Sequence, residues 1–243
     1  MSRVPSTITA GAACIGSMLA IRAVIACRAV LGIEHANLEQ GDAQDVERAA
    51  QCADYCAQIA SNCQGVNQEY HGTGDCLTLC KYFSPGVDGD TTGNTVACRL
   101  AHANFAAAGP ETHCPHAGPL GGPSDKCGPE AASIEDSRCL ALCQLDLALC
   151  AGPQLAGQTC EDASTIAYED LNDCTTVCKS YRFLNGGELV DDSGTPYESN
   201  NTFNCRLYHL ENAAKALSMG NLPLTACHCW HATASGGRVC VDP

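Results

Sequence analysis

Residues 52–63 read CADYCAQIASNC and place cysteines at positions i, i+4 and i+11. At about 100° per residue, these positions lie within about 40° of one another on an α-helix, whereas a strand would scatter them over two faces. The segment also lacks Gly and Pro, which favours a helix. Residues 139–150, CLALCQLDLALC, repeat the spacing. Both segments therefore predict a helix with one cysteine-bearing face.

A second cysteine pair at i, i+4 follows each of these segments. The pairs lie in DCLTLCK (75–81) and DCTTVCK (173–179), where the leading aspartate suits an N-cap. Two C-x3-C helices side by side form an antiparallel hairpin with two disulfide rungs. The predicted rungs are Cys52–Cys80, Cys56–Cys76, Cys139–Cys178 and Cys143–Cys174.

The remaining cysteines predict how each hairpin is connected to the rest of the chain. A third helix is expected to begin near Cys98 and near Cys205, with loops rich in Gly and Pro beyond it. In one hypothesis, disulfides connect the third helix to the hairpin and close the loops, and one further bridge is added. Its pairs are Cys63–Cys98, Cys150–Cys205, Cys114–Cys127, Cys229–Cys240 and Cys160–Cys227. Many other connectivities are compatible with the same cysteines.

The cysteine pattern belongs to an internal duplication. The motif NT-x-x-CR-x-x-H occurs at 94–102 and 201–209, and HC-x-HA occurs at 113–117 and 228–232. The offset between copies grows from 87 to 115 residues, which places insertions in loops. We predict a mainly α-helical fold of two tandem disulfide-stapled helical-hairpin repeats behind an N-terminal apolar helix. The predicted segments are a signal sequence or membrane anchor (1–33), a linker (34–51), repeat 1 (52–127), a linker (128–138) and repeat 2 (139–240).

Composition excludes several classes of protein. The chain has 20 cysteines in 243 residues, 45% hydrophobic residues and a formal net charge of −14. Cytosolic enzymes rarely carry so many thiols, and a chain this apolar is not disordered. The acidic body would repel phosphate backbones, so we expect no nucleic-acid partner. The cysteines indicate an exported protein in an oxidising compartment, which can be secreted, periplasmic or lumenal.

Residues 1–33 are apolar, hold three arginines and no acid, and have three open interpretations. One is a cleaved export signal, with Arg3 as its positive region and 4–21 as its apolar stretch. Another is a lipoprotein signal, in which VIAC at 24–27 resembles a lipobox and Cys27 is lipidated. The third is a retained membrane helix of about 20 residues. A retained helix would make the protein an accessory subunit that binds the protein subunits of a membrane complex.

The cysteines after this leader have two interpretations. Disulfide bonding is favoured because each copy holds an even number of cysteines, and structural zinc sites use C-x2-C or close variants instead of C-x3-C. The residues expected in disulfides are Cys52, Cys56, Cys63, Cys76, Cys80, Cys98, Cys114, Cys127, Cys139, Cys143, Cys150, Cys160, Cys174, Cys178, Cys205, Cys227, Cys229 and Cys240.

Six of the eight histidines occupy matched positions in the two copies. Three imidazoles per copy could bind Zn or Cu. The candidate ligands are His102, His113, His116, His209, His228 and His231. The alternative is that these rings pack beside disulfides and bond to backbone carbonyls. The matched Arg99 and Arg206 are expected to pair with a carboxylate or with carbonyls at a helix end.

The motifs C-x3-C, NT-x-x-CR-x-x-H and HC-x-HA together resemble uncharacterised cysteine-rich secreted proteins and lipoproteins of myxobacteria-like bacteria. The resemblance covers roughly residues 52–240 and implies export and a disulfide framework, with no known activity. No hydrolase, P-loop or dinucleotide motif accompanies it. We therefore predict a non-enzymatic, exported binding or scaffolding protein without a cofactor. The alternative is a metal-binding or electron-transfer protein that uses the repeated histidines.

Overall fold

Eight α-helices form most of the regular structure in the computed structural model, which describes residues 46–123, 125–160, 167–184, 188–191 and 193–242. Helix α1 includes residues 46–62. The others are α2 (Thr73–Cys80), α3 (Val96–Phe105), α4 (Pro110–Ala117), α5 (Ile134–Cys150), α6 (Leu171–Cys178), α7 (Phe203–Ser218) and α8 (Leu222–Ala232). These ranges contain isolated β-bridges but no strand. The predicted mainly α-helical fold is confirmed.

The predicted N-terminal apolar helix and the segment 1–33 lie outside the described residues, as does most of the linker at 34–51. The last part of that linker, 46–51, is helical and belongs to α1, so this helix begins before Cys52. Across the described ranges, no helix is both long enough and apolar enough to cross a membrane. Arg48–Pro243 forms one compact unit, which contains both cysteine-rich copies.

The helices follow the same order in the two copies, α1–α4 in the first and α5–α8 in the second. Matched threonines start the third helix of each. The Thr95 hydroxyl accepts the backbone N–H of Cys98, and the Thr202 hydroxyl accepts that of Cys205. Threonine suits this position because its oxygen satisfies an amide that has no partner within the helix. The two NT dipeptides of the sequence therefore mark the starts of α3 and α7.

Both hairpins carry the two predicted disulfide rungs. The structure pairs Cys52 with Cys80, Cys56 with Cys76, Cys139 with Cys178 and Cys143 with Cys174. It also contains the predicted additional bridge Cys160–Cys227. The helical spacing of the cysteines was sufficient to predict the four rungs.

The other four predicted disulfides were wrong. Cys63 pairs with Cys114 and Cys150 with Cys229, which ties the end of the first helix of each copy to its fourth helix. Cys98 pairs with Cys127 and Cys205 with Cys240, which ties the start of the third helix to the loop after the fourth. The predicted pairs Cys63–Cys98, Cys150–Cys205, Cys114–Cys127 and Cys229–Cys240 do not form. The prediction failed because it treated the HC-x-H segments as loops.

Those segments lie on helices α4 and α8. Proline falls within the first two positions of each, at Pro110 and Pro223, where its missing N–H costs no intrahelical hydrogen bond. The Asn221 side chain also accepts the backbone N–H of Leu224 at the start of α8. Since residues three apart are neighbours on a helix, each HC-x-H motif presents its two histidines one turn apart.

A fully buried arginine lies in the core of each copy. The Arg99 guanidinium donates to the backbone carbonyls of Thr95, Gly118 and Pro119 and stacks on the Phe83 ring. In the second copy, Arg206 donates to the carbonyls of Thr202, Thr233, Ala234 and Cys240 and stacks on the Tyr181 ring. The predicted pairing of both arginines with carbonyls is confirmed.

The two copies share one buried core cluster, in which α2 of the first packs on α7 of the second. Gly74 permits this approach, because a Cβ there would stand 2.6 Å from the Ser218 hydroxyl oxygen. Near the same interface, the His71 ring meets the Tyr208 ring edge-on with centroids 4.5 Å apart. Helices α2 and α7 therefore bring the two cysteine-rich copies into direct contact.

Candidate metal centres

The structure brings the six predicted histidines together in two clusters of three. In the first cluster, His102 of α3 faces His113 and His116 of α4, and Nδ1 of His102 lies 3.1 Å from Nδ1 of His113. One ring nitrogen from each residue lies within 4.8 Å of the other two. Helix α3 supplies one candidate ligand, and one turn of α4 supplies two.

The second cluster repeats this arrangement with α7 and α8. Nδ1 of His209 lies 3.1 Å from Nδ1 of His228 and 3.4 Å from Nδ1 of His231. A tetrahedral ion with metal–nitrogen bonds of about 2.0–2.1 Å separates its ligand nitrogens by about 3.3–3.4 Å. The observed separations are therefore close to those that a bound ion would impose.

A backbone carbonyl fixes the tautomer of the most buried histidine in each cluster, which is His102 in the first and His209 in the second and is called the inner histidine below. Nε2 of His102 lies 3.2 Å from the Thr91 carbonyl oxygen, and Nε2 of His209 lies 3.1 Å from the Glu198 carbonyl oxygen. A carbonyl only accepts, so Nε2 carries the hydrogen and donates it. In the neutral ring, Nδ1 then keeps its lone pair directed at the cluster. Metal-binding histidines commonly donate their second nitrogen in this way.

The third histidine of the first cluster has an unsatisfied nitrogen. Nδ1 of His116 is buried and has no hydrogen-bond partner in the structure. The corresponding atom of the second cluster is Nδ1 of His231, which lies near His209. Buried polar atoms rarely lack a partner, so this nitrogen is available to a ligand.

Burial favours the uncharged form of four of the clustered rings. Desolvation, followed by the proximity of other histidines, lowers the pKa of His116 to about 4. Desolvation and the neighbouring histidines lower the pKa of His209 to about 4, although the hydrogen bond to the Glu198 carbonyl raises it, and the pKa of His228 falls to about 4 chiefly through desolvation. The pKa of His102 is also lowered, mainly by desolvation. A neutral imidazole is the form that binds a metal ion, so these rings need not lose a proton at neutral pH.

Cysteines lie beside both inner histidines but cannot act as thiolates. The sulfurs of Cys98 and Cys127 approach His102, and those of Cys205 and Cys240 approach His209. Each pair is a disulfide. All eighteen cysteines after the leader are paired in the nine disulfides of the structure. The candidate ligand sets therefore consist of imidazoles alone.

Sequence reasoning missed two glycines that contact the third histidine of each cluster. Gly122 and Gly237 have φ values of +70° and +50°, and a Cβ on either would collide with the ring of His116 or His231, respectively. Both belong to a Gly-Gly pair that begins five residues after that histidine, at 121 and at 236. This matched interval was a signal in the sequence that could have identified them.

Of the two copies, only the first is covered by a match to a known protein family. A family model described as the BfoA family C-terminal domain matches residues 20–128. The match ends directly after Cys127, the last cysteine of repeat 1. No curated protein and no solved structure matches the chain, so no curated relative supports the resemblance to myxobacterial cysteine-rich proteins.

Proposed function

We propose that this protein is an exported metal-binding protein in which each repeat binds one Zn²⁺ or Cu²⁺ ion through three histidines. The proposal rests on one observation: the two clusters have the same Nδ1–Nδ1 distance, although the histidines concerned are separated by different numbers of residues. His102 and His113 are 11 residues apart, whereas His209 and His228 are 19 apart. The two Nδ1–Nδ1 distances are nevertheless both 3.1 Å.

A purely structural role explains this geometry less well. A buried imidazole needs only a backbone carbonyl and one further partner, which His102 already has in Thr91 and His113. The third ring adds a buried nitrogen, Nδ1 of His116, that has no hydrogen-bond partner. A bound cation would use all three lone pairs at once, including that of His116 Nδ1.

The disulfides support export and leave the metal to the imidazoles. Nine bridges require an oxidising compartment to form and persist. With these eighteen cysteines oxidised, none of them offers a soft thiolate that competes with the histidine clusters. Imidazole is a good ligand for Zn²⁺ and for Cu²⁺, and Cu²⁺ binds more tightly at a given nitrogen site. Both ions are therefore part of the test.

Metal analysis of the purified full chain tests the proposal. The protein is stripped with a chelator, reloaded with Zn²⁺ or Cu²⁺ and desalted, and we expect two equivalents per chain. His102→Ala and His209→Ala should each remove one equivalent. His71→Gln is the matched control, because His71 lies outside both clusters. A folded wild-type chain that retains neither ion overturns the proposal.

Fluorescence distinguishes the two sites. Trp230 is the only tryptophan of the chain, and its ring centroid lies 5.9 Å from that of His231. Copper(II) bound to the second cluster should therefore quench its emission. Quenching should survive His102→Ala and disappear with His209→Ala. Equal quenching in both variants would contradict binding at the second cluster.

A further inference from the structure

Each histidine cluster offers three ligands where a tetrahedral ion needs four. Within the described part of the chain, no further His, Asp or Glu side chain lies close enough to join the three rings of either cluster. Among the described residues, the other neighbours of this kind are held in disulfides: Cys98 and Cys127 in the first copy, and Cys205 and Cys240 in the second. Four-coordinate structural zinc sites, by contrast, take all their ligands from the protein.

The unfilled position lies in clusters that solvent can reach. The inner rings of His102 and His209 are buried, with 5% and 6% exposure. The rings supplied by α4 and α8 are partly exposed: His113, His116, His228 and His231. Aromatic rings flank both sites, including Phe105, whose centroid lies 5.4 Å from that of His113. Both clusters therefore combine partial exposure to solvent with neighbouring aromatic rings.

Nearby acidic side chains have other partners. Asp125, whose charge acts on the first cluster, is 73% exposed and pairs with Lys126 at 3.3 Å. Near the second cluster, the Glu198 carboxylate accepts the Tyr208 hydroxyl at 2.9 Å. Either carboxylate would have to give up its present contact in order to bind an ion.

From these observations, and resting on the proposed function, we infer that each bound ion keeps its fourth coordination position for an exogenous ligand, either water or a small monodentate anion. Three histidines with one open position are the arrangement in which zinc polarises a bound water. The two repeats would then be paired open metal centres, able to exchange a small ligand without losing the ion.

Azide titration of the cobalt-loaded full chain tests this inference. Cobalt(II) replaces zinc and has visible absorption bands that change when a ligand enters its coordination shell. We expect a saturable spectral change with one azide bound per cobalt while both ions stay on the protein. Unchanged bands in a large excess of azide, with cobalt still bound, would overturn the inference. Failure to bind cobalt, zinc or copper would instead overturn the proposed function.

Two variants determine whether the protein supplies the fourth ligand. Asp125→Asn and His35→Ala remove a nearby carboxylate and a histidine outside the described residues. If the fourth position holds water, both variants should give the cobalt spectrum and azide response of the wild type. A variant whose cobalt bands shift before azide is added would identify a protein ligand at that site and overturn the inference there.

Discussion

Gly122 lies against the imidazole of His116 so closely that a Cβ at this position would stand 2.6 Å from the ring atom Cδ2. Gly237 has the same relationship to His231 in the second copy. Both glycines also have positive φ, which other residues rarely adopt. Each glycine therefore sets the position of a candidate ligand through direct contact of its backbone with the ring.

Gly122→Ala should lower the metal affinity of the first cluster by about 10–100-fold, the range seen when the support of a metal ligand is removed. The added methyl group must push the His116 ring away from its two partners. The measurement is zinc binding by competition with a chromophoric chelator. It is made in a His209→Ala background, so that only the first cluster is observed.

Gly89→Ala is the matched control for this substitution. Gly89 also has positive φ, at +87°, but a Cβ there would meet nothing within 4 Å. Both variants should lose about 1 kcal/mol of folding stability because alanine is strained in this conformation, and Gly122→Ala should lose more because its Cβ also collides with the His116 ring. Only Gly122→Ala should lose affinity, and a comparable loss in Gly89→Ala would show that backbone strain alone explains the effect.

The sequence predicted the histidines that form both clusters but not their surroundings. The histidines recur in matched motifs, so the duplication itself revealed them. The carbonyls of Thr91 and Glu198 lie 11 residues before the inner histidine in both copies. Their side chains differ, and a backbone carbonyl has no residue preference that a motif could display. Such hydrogen-bond partners can be identified only from the folded structure of the loop.

Removal of the Cys63–Cys114 disulfide should weaken both the fold and the first cluster. This bond joins the end of α1 to α4 between His113 and His116. It spans 51 residues, so its loss should cost about 4 kcal/mol in the chain-entropy model. The double variant Cys63→Ser/Cys114→Ser is measured by denaturant unfolding and by zinc affinity in the His209→Ala background.

Its control is the rung Cys139–Cys178, which spans 39 residues of the second copy. Removing that rung should also cost about 4 kcal/mol. The zinc affinity of the first cluster should, however, remain unchanged in this control. If both double variants bind zinc as the wild type does, the Cys63–Cys114 bond does not position α4.

The same bond shows why part of the disulfide framework escaped prediction. The hairpin rungs follow from cysteines one turn apart on two adjacent helices, and a regular spacing suffices to pair them. Cys114 lies in an eight-residue helix that contains Pro115 and is bordered by Gly109 and Gly118. These residue types ordinarily indicate a loop. Tertiary packing and the disulfide overrode that preference, so the partner of Cys63 could not be deduced.

Arg99→Lys should destabilise the protein by about 2–4 kcal/mol. The buried guanidinium donates to three carbonyls in fixed directions, and a lysine ammonium cannot reproduce this planar arrangement in a buried site. Arg182→Lys, at an exposed position, should change stability by less than about 0.5 kcal/mol. Thermal unfolding compares the two variants, and equal melting temperatures would contradict this role for Arg99.

Two carboxylates from different copies meet in the core. A Cβ on Gly118 would contact Oε2 of both Glu69 and Glu188, and neither oxygen has a hydrogen-bond donor. Burial, followed by the neighbouring Glu188, raises the pKa of Glu69 well above its usual value. Burial also raises the pKa of Glu188 to about 7. The pair is therefore stable when protonated and strained when both groups are ionised.

Ionisation of this pair should reduce the stability of the folded protein as the pH rises from about 4.5 to above 7. A carboxyl whose pKa is raised by folding stabilises the fold below its unfolded pKa, and this contribution disappears as the pH passes the folded value. For Glu188 alone, the loss should reach about 3 kcal/mol.

Urea unfolding of the metal-free protein at pH 5 and pH 8 measures this loss of stability. Glu188→Gln should remove the part of the difference that Glu188 contributes, because the amide does not ionise. The exposed Glu130→Gln should retain it. A Glu188→Gln profile parallel to that of the wild type would contradict this assignment.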